Sequence, residues 1–175
     1  MTIRTATHSD REAIHHVHWS AFEEDERDIV SKLAVDLLLA ETFPKTISLV
    51  AELDESVVGH VAFSPVGIEN DETFRGYILA PLGVMPDYQR RRIGTELVEA
   101  GIPQVSGMET DILLVYGDPK YYGRFGFSAA AAEQYLPPYP LKYPHGWQAI
   151  VLKGDARKTP ANLIFVSALN NSALW

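Results

Sequence analysis

Residues 84–95 read Val84-Met85-Pro86-Asp87-Tyr88-Gln89-Arg90-Arg91-Arg92-Ile93-Gly94-Thr95. The stretch joins an apolar run, residues 77–84, to a pattern with Ile93, Leu97, Val98 and Ile102 on one helical face. A run so uniformly apolar reads as a strand buried on both sides, so strand, basic turn and helix follow one another. The first turn of a helix has N–H groups without intrahelical partners and about half a positive charge. Three consecutive arginines add to that charge, and a pyrophosphate suits such a place. A solvated basic turn is the alternative reading. Fifteen Lys and Arg against 23 Asp and Glu leave a formal charge of −8, so the turn is a local exception in an acidic chain.

Worked outward from that turn, the 175 residues fit a single domain, 1–175. Hydrophobic residues at 46% and charged residues at 22% are enough for a core and exclude wholesale disorder. The acidic balance disfavours nucleic acid and anionic membranes as partners. The absence of cysteine excludes disulfides, thiolate nucleophiles and Cys-ligated zinc. No signal peptide or membrane span is legible, and a cytoplasmic protein is expected.

Residues 3–6 read as a strand and His8-Ser9-Asp10 as a cap before a helix over 11–22, with Ile14, Val17 and His18 at helical spacing. After the acidic run 23–26, apolar positions 29, 30, 33, 37 and 38 predict a second helix to residue 39. Strands over 48–53 and 57–66 form a hairpin through Asp54-Glu55-Ser56. The helix after the basic turn should end near Gly101 and Pro103. A strand over 112–115, a helical turn over 119–124, a strand starting at Gly126-Phe127, an ordered aromatic loop over 134–147 and a strand over 148–153 follow. A last strand over 163–166 leads to a frayed end. The fold class is α+β, a mixed, mostly antiparallel central sheet flanked by helices.

The order of these elements, the approach Val84-x-Pro86-x-x-Gln89 and the downstream Tyr122-Gly123-Arg124-Phe125-Gly126-Phe127 together resemble the GCN5-related N-acetyltransferase family over residues 3–153. The resemblance implies the acyl-CoA N-acyltransferase fold and acetyl-CoA as cosubstrate, without a metal. It implies that a primary amine, small molecule or peptide, attacks directly in a ternary complex. The family's pyrophosphate loop, Gln or Arg, x, x, Gly, x, Gly or Ala, falls on Gln89, Arg90, Arg91, Arg92, Ile93 and Gly94, with Thr95 next. Arg92 replaces the first glycine, so its side chain must turn away to leave the amides open. Leu82 and Val84 would offer backbone groups to the pantetheine arm, with Gly83 marking the bulge that parts the strands. Tyr122, four residues before Gly126, takes the family's general-acid position.

Acetyl transfer needs a neutral amine, a polarised carbonyl and a proton for the departing thiolate. A tyrosine hydroxyl can supply that proton, while packing alone is the other reading of Tyr122. A backbone amide near Val84 suits the oxyanion, and Asp118, in the turn where the family often has an asparagine, is given no such part. The base is open between a water chain, Glu24, Glu26 and an already neutral substrate. His15, His16 and His18 crowd one helix, 15 and 18 on a shared face, where packing competes with metal ligation and no metal is expected. The acidic run 23–26 with Asp28 is either a solvated helix start or a lure for a cationic amine. Tyr139, Tyr143 and Trp147 are candidate walls of an acceptor pocket. A non-catalytic acyl-CoA-binding or protein-interaction module is the alternative function; a toxin acting on charged transfer RNA is disfavoured by the charge. Oligomeric state is open, a homodimer being one form.

Overall fold

The computed structural model describes residues 1–175. In chain order its elements are β1 (Thr2–Thr5), α1 (Arg11–Ala21), α2 (Arg27–Leu39), β2 (Ile47–Leu53), β3 (Ser56–Ile68), β4 (Asp71–Val84) and α3 (Ile93–Ser106). There follow β5 (Ile112–Tyr116), α4 (Pro119–Tyr122), α5 (Ala129–Ala132), β6 (Tyr135–Leu136), β7 (Trp147–Val151) and β8 (Ala161–Phe165). The sheet runs β1-β2-β3-β4-β5-β7, with β8 on the far end of β3 and β6 on β8. Only β4–β5 and β6–β8 are parallel, so the mixed, mostly antiparallel sheet expected from the sequence is the one observed.

Turn chemistry sets the registers. Asp54 and Glu55, at φ 49 and 64, make the two-residue left-handed turn that matches strand twist and pairs Leu53 with Ser56. A second tight turn, with Asn70 at φ 62, pairs Ile68 with Asp71. That hairpin extends β3 and β4 beyond the apolar runs 57–66 and 77–84. Its outer part is polar and exposed, with the Asp71 carboxylate accepting from the Thr73 and Phe74 amides, so hydrophobicity did not mark it.

Strand alternation sorts the core into two layers. Ala62, Ile78 and Leu114 face the α1–α2 side with Leu33 and Leu37, while Phe63, Leu79 and Leu113 face α3 with Leu97 and Val98. Helix α3 makes the crossover that a parallel β4–β5 pair requires. Gly101 lets it lie close to the sheet: a Cβ there would come within 2.2 Å of the Phe63 ring.

Four local expectations are corrected. Helix α3 continues through Pro103 to Ser106, its last turn held by buried Val105, by Gly107 N–H donating to Pro103 O, and by Thr110 Oγ1 donating to Val105 O at 2.7 Å. Gly126-Phe127 starts no strand: Gly126 is left-handed at φ 94, and Ser128 pairs once with Ala149 before capping α5 at the Ala131 amide. The bulge in β4 lies at Ala80–Pro81, between the pairs Phe63–Leu79 and Val61–Leu82, not at Gly83. The end of the chain is ordered, because Trp175 packs edge-on to Phe165 and Trp147 and stacks on Tyr116.

Candidate active site

The β4–β5 ladder stops at Leu79–Val115. Past the Ala80–Pro81 bulge, β4 keeps its pairing with β3 alone, His60 opposite Gly83 and Met85 N–H donating to Val58 O at 2.9 Å. In an antiparallel strand, alternate residues turn their N–H and C=O to the same side. Gly83 and Met85 face β3, so the backbone groups of Leu82 and Val84 face the gap where β5 has departed. The Val84 carbonyl there accepts from Gln89 Nε2 at 3.1 Å. The two residues the family resemblance singled out therefore stand on an unpaired strand edge.

The basic turn closes one end of that gap. Pro86–Tyr88 forms a 3-10 turn, Arg90 and Arg92 are left-handed at φ 61 and 65, and α3 begins at Ile93. Left-handed backbone costs a side-chain-bearing residue about 1–2 kcal/mol. Arg92 adopts it where the family has glycine, and its guanidinium turns along the helix toward Glu99, 4.0 Å away. The amides of Ile93, Gly94 and Thr95 precede the first intrahelical bond, Glu96 N–H to Arg92 O, and so have no helical partner.

Leu82, Val84, Gln89, Arg90, Arg92, Ile93, Gly94 and Thr95 line one cavity of about 470 Å³. Arg91 lies outside it, its guanidinium 5.3 Å from the centre of the Tyr88 ring. Ile93 and Thr95 bury their side chains, leaving the backbone as their contribution. The lining also includes Gly83, read from sequence only as a bulge, and Tyr88, Tyr121 and Arg124, to which the sequence reading gives no part in the site. The Arg124 guanidinium lies 4.5 Å over the Tyr121 ring, and its Nε donates to the Tyr121 carbonyl at 3.1 Å. A Cβ on Gly94 would come within 2.7 Å of the Tyr121 hydroxyl. An arginine three residues after a tyrosine on a short helical turn is the signal that was available, since that spacing shares a face.

Tyr122 faces the other way. It lines a second cavity, of about 350 Å³, which shares Leu82 with the first. Its ring lies edge-on to Tyr121 and Phe127 and fills the space a side chain on Gly117 would need, 2.4 Å from that Cβ position. Burial foremost, and then the neighbouring Tyr121, push the Tyr122 hydroxyl above the ordinary tyrosine range. It therefore holds its proton at neutral pH and can donate it. Burial also raises the Tyr121 hydroxyl.

Other expected contributors lie elsewhere. Glu23, Glu24, Asp25 and Glu26 are exposed and line neither cavity, and Glu24 lies 3.6 Å from Arg27. Trp147 is buried with Nε1 donating to Tyr135 O, while Tyr143 is exposed. Neither these two nor Tyr139 walls the second cavity; Leu169, Leu174 and Trp175 do. His15 and His16 are exposed, whereas His18 is buried. His18 Nε2 meets His60 Nδ1 at 2.7 Å, and His60 Nε2 meets Ser48 Oγ at 2.8 Å.

A strand edge opened at a bulge and facing a helix N-terminus is the arrangement that the resemblance to acyl-CoA N-acyltransferases leads one to expect. Comparison with known proteins agrees. Residues 11–127 match the sequence model of the acetyltransferase (GNAT) family. The chain is 33% identical over 153 residues to the uncharacterized N-acetyltransferase YjhQ of Escherichia coli, covering 82% of this chain and 79% of that one. The crystal structure of the N-acetyltransferase YhbS from Escherichia coli in complex with CoA superposes with a TM-score of 0.78 at 27% identity, covering 97% and 92% of the two chains. A GNAT acetyltransferase from Brucella melitensis in complex with acetyl-CoA gives 0.71 at 29% identity and 97% coverage of both. The chain belongs to the acetyltransferase (GNAT) family and is an N-acetyltransferase. No helix is long and apolar enough to cross a membrane.

Proposed function

We propose that the protein transfers the acetyl group of acetyl-CoA to a primary amine by direct attack in a ternary complex, with Tyr122 as the general acid. The observation that carries this reading is the pair of cavities meeting at Leu82, one edged by the α3 amides and arginines, the other by Tyr122. In this reading the pyrophosphate lies on the amides of Ile93, Gly94 and Thr95, with Arg90, Arg92 and Arg124 supplying positive charge. The pantetheine arm takes the free backbone groups of Leu82 and Val84 in place of a strand, displacing the Gln89 side chain from the Val84 carbonyl.

The amine nitrogen attacks the thioester carbon, and a backbone N–H on the open edge of β4 steadies the oxyanion. As the C–S bond breaks, Tyr122 gives its proton to the sulfur. The proton lost by the amine returns to Tyr122 through water, so amide and thiol are the net products. The exposed positions of Glu24 and Glu26 leave water as the acceptor of the amine's proton. A non-catalytic module rested on Arg92 and on the missing base; Arg92 turns from the amides, and the chain belongs to a family of enzymes.

Calorimetry with acetyl-CoA and dephospho-CoA, followed by single-turnover kinetics of Tyr122→Phe and Tyr121→Phe, tests the reading. Tyr122→Phe should lose about a hundredfold or more in rate with acetyl-CoA affinity little changed, and Tyr121→Phe much less. Absence of binding at millimolar concentration, or full activity of Tyr122→Phe with chemistry rate-limiting, overturns it.

A further inference from the structure

The second cavity is lined mostly by apolar side chains. Phe22 at the end of α1, Val30 and Leu33 on α2, and Leu169, Leu174 and Trp175 line it together with Tyr122. Asp118 is the one charged residue on its lining. Its Oδ1 accepts the Lys120 N–H at 2.9 Å as the cap of α4, and it forms none of the chain's salt bridges. The wall is fixed in place, since Trp175 Nε1 donates to Leu169 O at 3.1 Å and the indole is held among Tyr116, Trp147 and Phe165.

These features restrict the acceptor. A polyamine or an aminosugar would have to set further charges or hydroxyls against the apolar side chains of Leu33, Leu169 and Leu174, an unfavourable exchange for water. A volume of about 350 Å³ is at the lower end for ligand sites, so the body of the acceptor must be compact. Its cationic end has one place of complementary charge, Asp118, beside the tyrosine that serves the leaving thiolate.

We propose that the acceptor is a primary amine on a small apolar body, monoaromatic or branched aliphatic, gathered as an ammonium at Asp118 with its body between Val30 and Trp175. The proposal rests on the acetyltransferase reading and names the substrate class of that same site. Asp118 draws the cation to the mouth, and loss of a proton to water frees the nitrogen for attack.

Calorimetric titration of the CoA-saturated protein with 2-phenylethylamine, 3-methylbutylamine, spermidine and lysine tests this without requiring turnover. The two apolar amines should bind at least tenfold more tightly than spermidine or lysine. Val30→Asp should abolish that preference, and Asp118→Asn, which retains a cap for α4, should weaken the apolar amines severalfold at neutral pH. Equal or tighter binding of spermidine or lysine overturns the proposal, as does binding of none of the four to protein shown to hold CoA. Tenfold tighter binding of hexanoyl-CoA than of acetyl-CoA also overturns it, because the cavity would then belong to the acyl chain. Failure to bind CoA at all is a different result, and it removes the acetyltransferase assignment beneath the proposal.

Discussion

Acidification should destabilise this protein well above the pH at which its carboxylates titrate, because of the buried pair His18 and His60. Both rings are fully buried, His60 between His18 and Ser48, and His18 Nδ1 has no hydrogen-bond partner where it lies against Gly83. Burial lowers His60 from 6.5 to about 3, offset slightly by Asp10. It also lowers His18 well below its ordinary value, helped by His60 and His15. A folded value below the unfolded one means that the unfolded chain binds protons first. The associated stability is whole above pH 6.5 and is lost as pH falls from 6.5 toward 3.

At pH 5 a histidine with an unfolded value of 6.5 is largely protonated in the unfolded chain, while His60 stays neutral in the fold; the difference is about 2 kcal/mol from His60 alone. His18 adds in the same direction. Asp10, whose carboxylate the Arg4 guanidinium holds far below its usual range, contributes below about pH 4 and so leaves this window clear. With urea slopes of about 1–3 kcal/mol/M, the midpoint should fall by about 1 M or more between pH 7.5 and 5. His60→Gln should be less stable at pH 7.5 and flatter against pH. A wild-type midpoint unchanged over that range, or a His60 resonance titrating near 6.5, refutes the reasoning.

Three further outcomes are expected. The rate should keep its alkaline side until pH exceeds 10, since burial raises the Tyr122 hydroxyl; in a pH–rate profile, a falling limb near neutrality would contradict the acid role. Gly94→Val, pressed on the Tyr121 hydroxyl at the α3 amides, should weaken acetyl-CoA by tenfold or more in calorimetry, whereas Arg92→Ala, whose side chain points toward Glu99, should cost less than tenfold. Gly101→Ala should lower stability by about 1–3 kcal/mol in urea denaturation through its clash with Phe63.

The basic turn and its flanks were legible because their signals are local: an apolar run, charges in series, a helical period. Eight of the nine positions assigned to the cosubstrate line one cavity, whose occupant remains the proposal above. Arg91 lies outside that cavity, against Tyr88, because adjacent residues of a tight turn point apart, which a run of three arginines does not reveal. A glycine in the strand points to Gly83 as the bulge, whereas the extra residue lies at Ala80–Pro81. That glycine makes room for His18, a contact between residues 65 apart in sequence. The composition of the aromatic loop points to an acceptor wall, but composition cannot say which aromatic residues the core consumes. Trp147 is buried in the core, while Trp175, held against Tyr116, Trp147 and Phe165, lines the cavity.

The parting of β4 from β5 beyond Leu79 makes the unliganded protein a sheet with an open seam. In the proposed complex the cosubstrate is then a structural member as much as a reagent, a stitch that is drawn tight and released once each cycle. A ligand at a hundred times its dissociation constant adds about 2.7 kcal/mol to the stability of the fold that holds it. The resistance of this protein to heat would therefore rise with the concentration of its acyl donor.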